Sequence, residues 1–262
     1  MNLAEVLVPL LPAGSGVVAF VGAGGKTSAL FHLARELAGE GKRVLVTTTT
    51  HLADPRVEPG GFEGKLVFSP EMEAPCPGEA GPLSVPVPGI TVLASREADA
   101  PGKVKGIHPS WVTALLPGWD QILVEADGSR RLPVKAPGPG EPVIPPGTDL
   151  VVGIVGLDCL GRPMDGRTVH RPELFSRVTG CSPGAPIEWA HLVALVRHPE
   201  GLFKGARGRR VVHLNKADRA PFLPSEEQIL QLGAELVLVG SLEGEGPRPR
   251  AVALTVREEV AG

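Results

Sequence analysis

One stretch constrains this chain more than any other: residues Val17 to Thr27 read VVAFVGAGGKT. An apolar run passes straight into Gly22, Ala23, Gly24, Gly25, Lys26, Thr27 and Ser28, and then into an amphipathic segment. Glycines let successive backbone N–H groups turn toward one anion. A helix that follows brings the positive end of its dipole to the same point. Lys26 can reach the β and γ phosphates of a nucleotide, and the Thr27 hydroxyl is a hard ligand for Mg²⁺. The strict pattern G-x-x-x-x-G-K-[ST] is incomplete here, because Phe20 stands where its first glycine falls. The competing explanation is a plain glycine turn with an exposed lysine. A strand before the loop and a helix after it favour phosphate binding.

The rest of the chain repeats that strand–helix alternation. Buried strands are expected at Val17–Val21, Arg43–Thr47, Lys65–Phe68, Ile90–Leu93, Gln121–Glu125, Leu150–Val155, Arg210–Leu214 and Glu235–Val239. Most are continuously apolar rather than alternating, as in a parallel sheet covered on both faces. Helices are expected at Thr27–Ala38, Pro109–Leu116, Arg171–Val178, Ile187–Arg197 and Ser225–Leu232. The expected class is α/β and P-loop NTPase-like: a mostly parallel sheet flanked by helices. We expect one domain over residues 1–262, with a Pro/Gly-rich β-type insertion at about 54–106.

Composition narrows the function. Lys plus Arg is 26 against 29 for Asp plus Glu, a net charge of −3, which argues against general nucleic-acid binding and polybasic membrane contact. The 34 glycines and 28 prolines approach a low-complexity share, but they separate apolar runs and read as turns and stiff loops. With no Tyr, three Trp and seven Phe, aliphatic side chains must do most of the packing. No run reaches the ~18 apolar residues of a spanning helix, and the start has no secretory n-region, so a cytoplasmic location is expected. Cys76, Cys159 and Cys181 lack local pairing and read as buried hydrophobes or inert loop thiols.

Two further strand ends carry chemistry. QILVEADGSR places Glu125 and Asp127 at the end of an apolar run, where a carboxylate can hold Mg²⁺ or orient an attacking water. Glu125-x-x-Gly128 also resembles the [DE]-x-x-G element of γ-phosphate sensors. RVVHLNKAD ends in Asn215, Lys216 and Asp218, like the N-K-x-D of GTP-binding proteins. An Asp carboxylate accepts from both guanine N1–H and the exocyclic amine, a donor pair adenine lacks. Lys26, Glu125 and Asp127 are therefore the catalytic candidates, with Thr27, Glu125 and Asp127 as Mg²⁺ ligands. Substrate contacts are open at Thr48, Thr49, His51, Lys135, His170 and Arg171, each with an ordinary structural alternative. The basic residues Lys204, Arg207, Arg209 and Arg210 read as a solvated face.

Taken together, VGAGGKTS, VLVTTTTHL, ILVEADGSRRLPVKAP, EPVIPPGTDLVVGIVGLD, VHRPELF, HPEGLFKGA and LNKAD resemble the YqeC family, described as accessory to selenium-dependent hydroxylases. The likeness covers most of the chain outside roughly residues 55–100. Its loop also resembles the shortened loops of some ligase-type P-loop proteins. The resemblance implies a P-loop protein that helps mature a molybdenum hydroxylase at its selenium-containing cofactor. Three readings stay open: an Mg²⁺-dependent nucleoside triphosphatase using GTP or ATP, a small-molecule kinase or ligase, and a non-catalytic cofactor carrier. The partners to expect are a nucleotide and a molybdenum hydroxylase client or its cofactor, with a homodimer as an open assembly.

Overall fold

The computed structural model describes residues 3–57, 62–78, 86–242 and 250–253. The chain opens with α1 (Leu3–Leu7), β1 (Gly16–Gly22), α2 (Lys26–Gly39), β2 (Arg43–Thr48) and β3 (His51–Ala53). Then come β4 (Lys65–Phe68), β5 (Gly89–Ala94), β6 (Arg96–Glu97), β7 (Lys103–Lys105), α3 (Ser110–Leu115) and β8 (Gln121–Glu125). They are followed by β9 (Val134–Lys135), β10 (Leu150–Gly156), β11 (Val169–His170), α4 (Pro172–Thr179) and α5 (Trp189–Arg197). The last are β12 (Arg209–Asn215), α6 (Glu226–Leu230), β13 (Leu236–Val239) and β14 (Arg250–Ala253).

The main sheet runs β14-β13-β12-β10-β1-β8-β2-β5-β4. Every pairing is parallel except β14, which lies antiparallel on β13. All eight expected strands are the eight parallel strands of this α/β sheet. Their apolar runs are continuous because both faces are covered. All residues of β1, β8 and β10 are buried. From β1, Val18 and Phe20 pack with Leu30, Leu33 and Leu37 of α2. Ala19 and Val21 pack on the other face with Phe175 of α4 and Leu192 and Leu195 of α5. Val17 joins Trp111 and Leu115 of α3 in a third cluster.

Residues 54–106 supply the two outer parallel strands, β4 and β5. They also supply β6 and β7, which join β3 in a small antiparallel sheet of order β3-β7-β6. Parts of this segment, 58–61 and 79–85, lie outside the described residues. No helix among the described residues is long and apolar enough to cross a membrane.

Strand order and register fix the functional edge. β1 lies between β8 and β10; the chain leaves it toward β2 on one side and later crosses from β8 to β10 on the other, the reversal of direction at which open α/β sheets form a crevice at their carboxyl ends. The register sets Phe20 beside Glu125, Thr48 beside Glu125, Gly22 beside Ile154 and Gly156 beside Asn215. The motifs at four strand ends thus meet along one edge.

One buried group sits at odds with its surroundings. His213 on β12 is fully buried, and neither ring nitrogen has a hydrogen-bond partner. Burial, reinforced by the charge of His32, lowers its imidazole from 6.5 to about 4. The unfolded chain takes up this proton near 6.5 and the folded chain only near 4, so stability is full above that window and falls as pH drops through it. We expect His213→Leu to stabilise the fold at neutral pH by about 1–3 kcal/mol and to shrink the acid loss. Urea unfolding of both proteins at about pH 7.5 and about pH 5 checks this; an unchanged pH difference would refute it.

Candidate functional site

The glycine loop is shaped by crowding against β10. Gly22, Gly24 and Gly25 all have positive φ, of 92°, 91° and 125°. A Cβ on Gly22 would stand 2.3 Å from the Ile154 carbonyl oxygen, and one on Gly24 would stand 2.3 Å from the Gly156 nitrogen. The Ala23 amide donates to Ile154 O at 2.9 Å, which docks the loop on that strand end. The 14-residue α2 then begins at Lys26 with no acidic residue in its first turn. Its first amides have no intrahelical acceptor, so an anion at the loop meets donors and dipole together.

Behind the loop lies a chain of buried charges. Lys26 Nζ donates to Gly22 O at 2.7 Å and lies 3.3 Å from Asp127 Oδ1 and 3.9 Å from Glu125 Oε1. The Thr27 hydroxyl donates to Glu125 Oε2 at 2.7 Å. Asp127 Oδ2 accepts the Gly22 amide at 3.1 Å and the Lys135 ammonium at 2.9 Å. Lys135 donates its other protons to Gly128 O and Glu141 Oε2, both at 2.8 Å. Glu141 in turn takes a bidentate pair from Arg171, at 2.6 and 2.8 Å. Burial raises the Glu125 carboxyl, and the opposing pull of Lys26 and Thr27 does not cancel it. Burial works to raise Glu141 too, but the hydrogen bonds from Arg171 and Lys135 prevail and hold it at about 2.

These oxygens suit a hard divalent cation. Asp127 Oδ1 is buried without a hydrogen-bond partner, and the Thr27 hydroxyl and the Glu125 carboxylate are already joined. An all-oxygen donor set of one hydroxyl and two carboxylates fits Mg²⁺.

The threonine run is used differently from a ligand set. Thr48 Oγ1 donates to Glu125 O and Thr49 Oγ1 to Val143 O, both at 2.7 Å. Thr47 Oγ1 donates to Leu93 O at 2.8 Å. These hydroxyls fasten neighbouring backbone along the edge. His51 is exposed on the small sheet, its imidazole lowered by partial burial and the charges of Lys103, Lys105 and Arg96. His170 is half-buried, lowered to about 4 by burial and by Arg171, Lys135 and Arg130. Lys135 reaches the loop side of the site through Asp127 and the Gly128 carbonyl, and Arg171 connects to it through Glu141.

The β12 end closes a pocket against the loop, with Gly25, Ser28, Asn215, Asp218, Ser241 and Leu242 in its walls. Asn215 Nδ2 donates to Gly24 O at 2.9 Å, and its Oδ1 accepts the Leu242 amide at 3.3 Å. Lys216 has φ 60° and pairs with Asp158 Oδ2 at 3.1 Å. The Asp218 amide donates to Ser241 Oγ at 3.0 Å, and that hydroxyl donates back to Asp218 Oδ1. Ser241, Leu242, Asp158 and Glu141 were not among the sequence candidates. For Ser241 and Leu242 a signal existed, since only Gly240 separates them from the last parallel strand. A larger cavity of about 410 Å³ lies at the opposite, amino edge beside Arg197, Arg210 and Glu235. There Arg210 stacks on Phe203 and donates to Ala206 O, while Glu235 pairs with Arg209.

Comparison with known proteins agrees along most of the length. The family model YqeC, described as YqeC protein, matches residues 18–173. The Escherichia coli (strain K12) protein called Uncharacterized protein YqeC is 38% identical over 224 residues, covering 82% of this chain and 81% of its own. No solved structure matches.

The crowding at the loop has a direct test. We expect Gly24→Ala to cost more than about 2 kcal/mol in urea unfolding, through backbone clash at positive φ. Gly128→Ala, with nothing within 4 Å of its added Cβ, should cost less than about 1 kcal/mol. Equal effects of the two would contradict this account of the loop.

Proposed function

The chain belongs to the YqeC family, and on that premise we propose that it is an Mg²⁺-dependent purine nucleoside triphosphatase that favours GTP over ATP. In the setting implied by the family resemblance, it serves as an accessory factor in maturing a selenium-dependent molybdenum hydroxylase or its cofactor. One observation carries the nucleotide reading: Asn215 ties the glycine loop to the pocket of Asp218 and Ser241. The glycine loop and this polar pocket lie together at one sheet edge, which supports a ligand with a phosphate end and a purine end.

Each residue has a defined task on this reading. The amides of Gly24, Gly25 and the first turn of α2 bind the β and γ phosphates. Lys26 exchanges Gly22 O and Asp127 for phosphate oxygens. Thr27, Glu125 and Asp127 would hold Mg²⁺, which neutralises phosphate charge when bound. Whichever of Glu125 and Asp127 is not taken up by the cation would orient the attacking water. Asp218, set by Ser241, accepts the two donors of a guanine edge. Adenine presents no matching pair of donors.

Titration with fluorescent GTP and ATP analogues in the presence of Mg²⁺ tests this. We expect saturable binding, weakened at least about tenfold in Lys26→Ala, a loss of ~1.4 kcal/mol or more. Asp218→Ala should weaken GTP by about 10²-fold and change ATP little. Absence of binding to either nucleotide would overturn the proposal.

A further inference from the structure

Lys135 is the most deeply enclosed charge in the site. Its side chain has 0% exposure, and three acceptors take the three protons of its ammonium: Asp127 Oδ2, Gly128 O and Glu141 Oε2. No proton is left for a substrate. The contacts run instead toward the phosphate end, to the carboxylate that stands nearest Lys26 and to the carbonyl of the glycine that follows it.

Asp127 is shared between two cations. Oδ1 faces Lys26 at 3.3 Å, and Oδ2 takes Lys135 and the Gly22 amide. How firmly Lys135 draws on Asp127 depends on its second carboxylate, Glu141. Glu141 is fixed from behind by both nitrogens of the Arg171 fork. Arg171 is itself constrained: it holds the left-handed conformation at φ 66° ahead of α4 and packs so closely on Gly138 that an added Cβ there would stand 2.9 Å from its Cζ.

The segment beside this chain of charges is held in an uncommon shape. Arg130 and Arg131 are consecutive non-glycine residues at φ 51° and 61°. Such conformations persist where their surroundings over-determine them. Two bonds flank this stretch, from Lys135 to Gly128 O and from the Leu132 amide to Ser129 O at 3.0 Å. Above Gly128 the space is open, with nothing within 4 Å of an added Cβ.

We propose that Lys135 and Glu141, anchored by Arg171, are positioning residues: they fix the Asp127 carboxylate and the main chain of Gly128 for reaction at the terminal phosphate. The proposal rests on the nucleotide reading above and makes Lys135 a brace of the site rather than a substrate ligand. Removing the charge of Glu141 leaves Lys135 with Asp127 as its sole carboxylate. Asp127 is then pulled away from Lys26, and Gly128 loses its fixed place. Phosphate binding by the loop amides is untouched, whereas the alignment needed for turnover is lost.

The experiment compares wild type, Glu141→Gln and Lys135→Met for equilibrium binding of a GTP analogue, steady-state turnover, and amide exchange across residues 128–132. Glu141→Gln nearly preserves volume, and its melting curve confirms folding. We expect Kd and KM within about threefold of wild type, kcat reduced about 10–100-fold, and faster exchange across 128–132. Affinity and turnover falling together would overturn the proposal, because that marks a binding or purely structural role. Wild-type kcat or unchanged exchange in Glu141→Gln would overturn it while leaving the nucleotide reading intact. A wild-type chain that binds no nucleotide, or binds it and never turns it over, would overturn both.

Discussion

The loop that joins β1 to α2 approaches the end of β10 so closely that no side chain fits between them. Everything else at the functional edge depends on that approach. Gly22 and Gly24 meet backbone atoms of Ile154 and Gly156, so the loop inherits its shape from a strand more than a hundred residues further along. Because the backbone lies flat there, the Gly22 amide reaches Asp127, the Gly24 carbonyl reaches Asn215, and Lys26 folds back over Gly22. A larger residue at either glycine would displace three motifs at once.

Burial then decides what the charged groups can do. Lys26, Asp127 and Lys135 are almost completely removed from water, where an unpaired charge is very costly. They persist because each is opposed by a group of opposite sign along one line running from Lys26 to Arg171. The Asp127 oxygen that faces the loop is the exception, with no hydrogen-bond partner of its own. It is held there by charge alone, with the Lys26 ammonium 3.3 Å away.

The sheet was readable in the sequence because its physics is local. A strand covered on both faces is apolar throughout, and the runs at β1, β8, β10 and β12 announce themselves residue by residue. The loop and the Asn215–Asp218 turn were equally visible, as polar punctuation at the ends of those runs. Other features depend on partners far away in the chain. Nothing near Glu141 shows that Lys135 and Arg171 converge on it from two sides. Thr48 and Thr49 looked like free hydroxyls because local pattern does not distinguish a ligand from a side chain that fastens backbone. The strands β6, β9 and β11 have two residues each, too short for any periodicity to register.

The bond from Asn215 to the carbonyl of Gly24 spans 191 residues of sequence. A ribosome making about 5–20 residues per second needs on the order of 10–40 s to cover that distance. The glycine loop therefore leaves the ribosome long before the asparagine that secures it exists. For the first two thirds of that interval the loop lacks its β10 backing, and for all of it the β12 tether is missing. The finished site is thus a late product of synthesis, and a nascent chain truncated before β12 carries the whole glycine motif without the asparagine that ties it down.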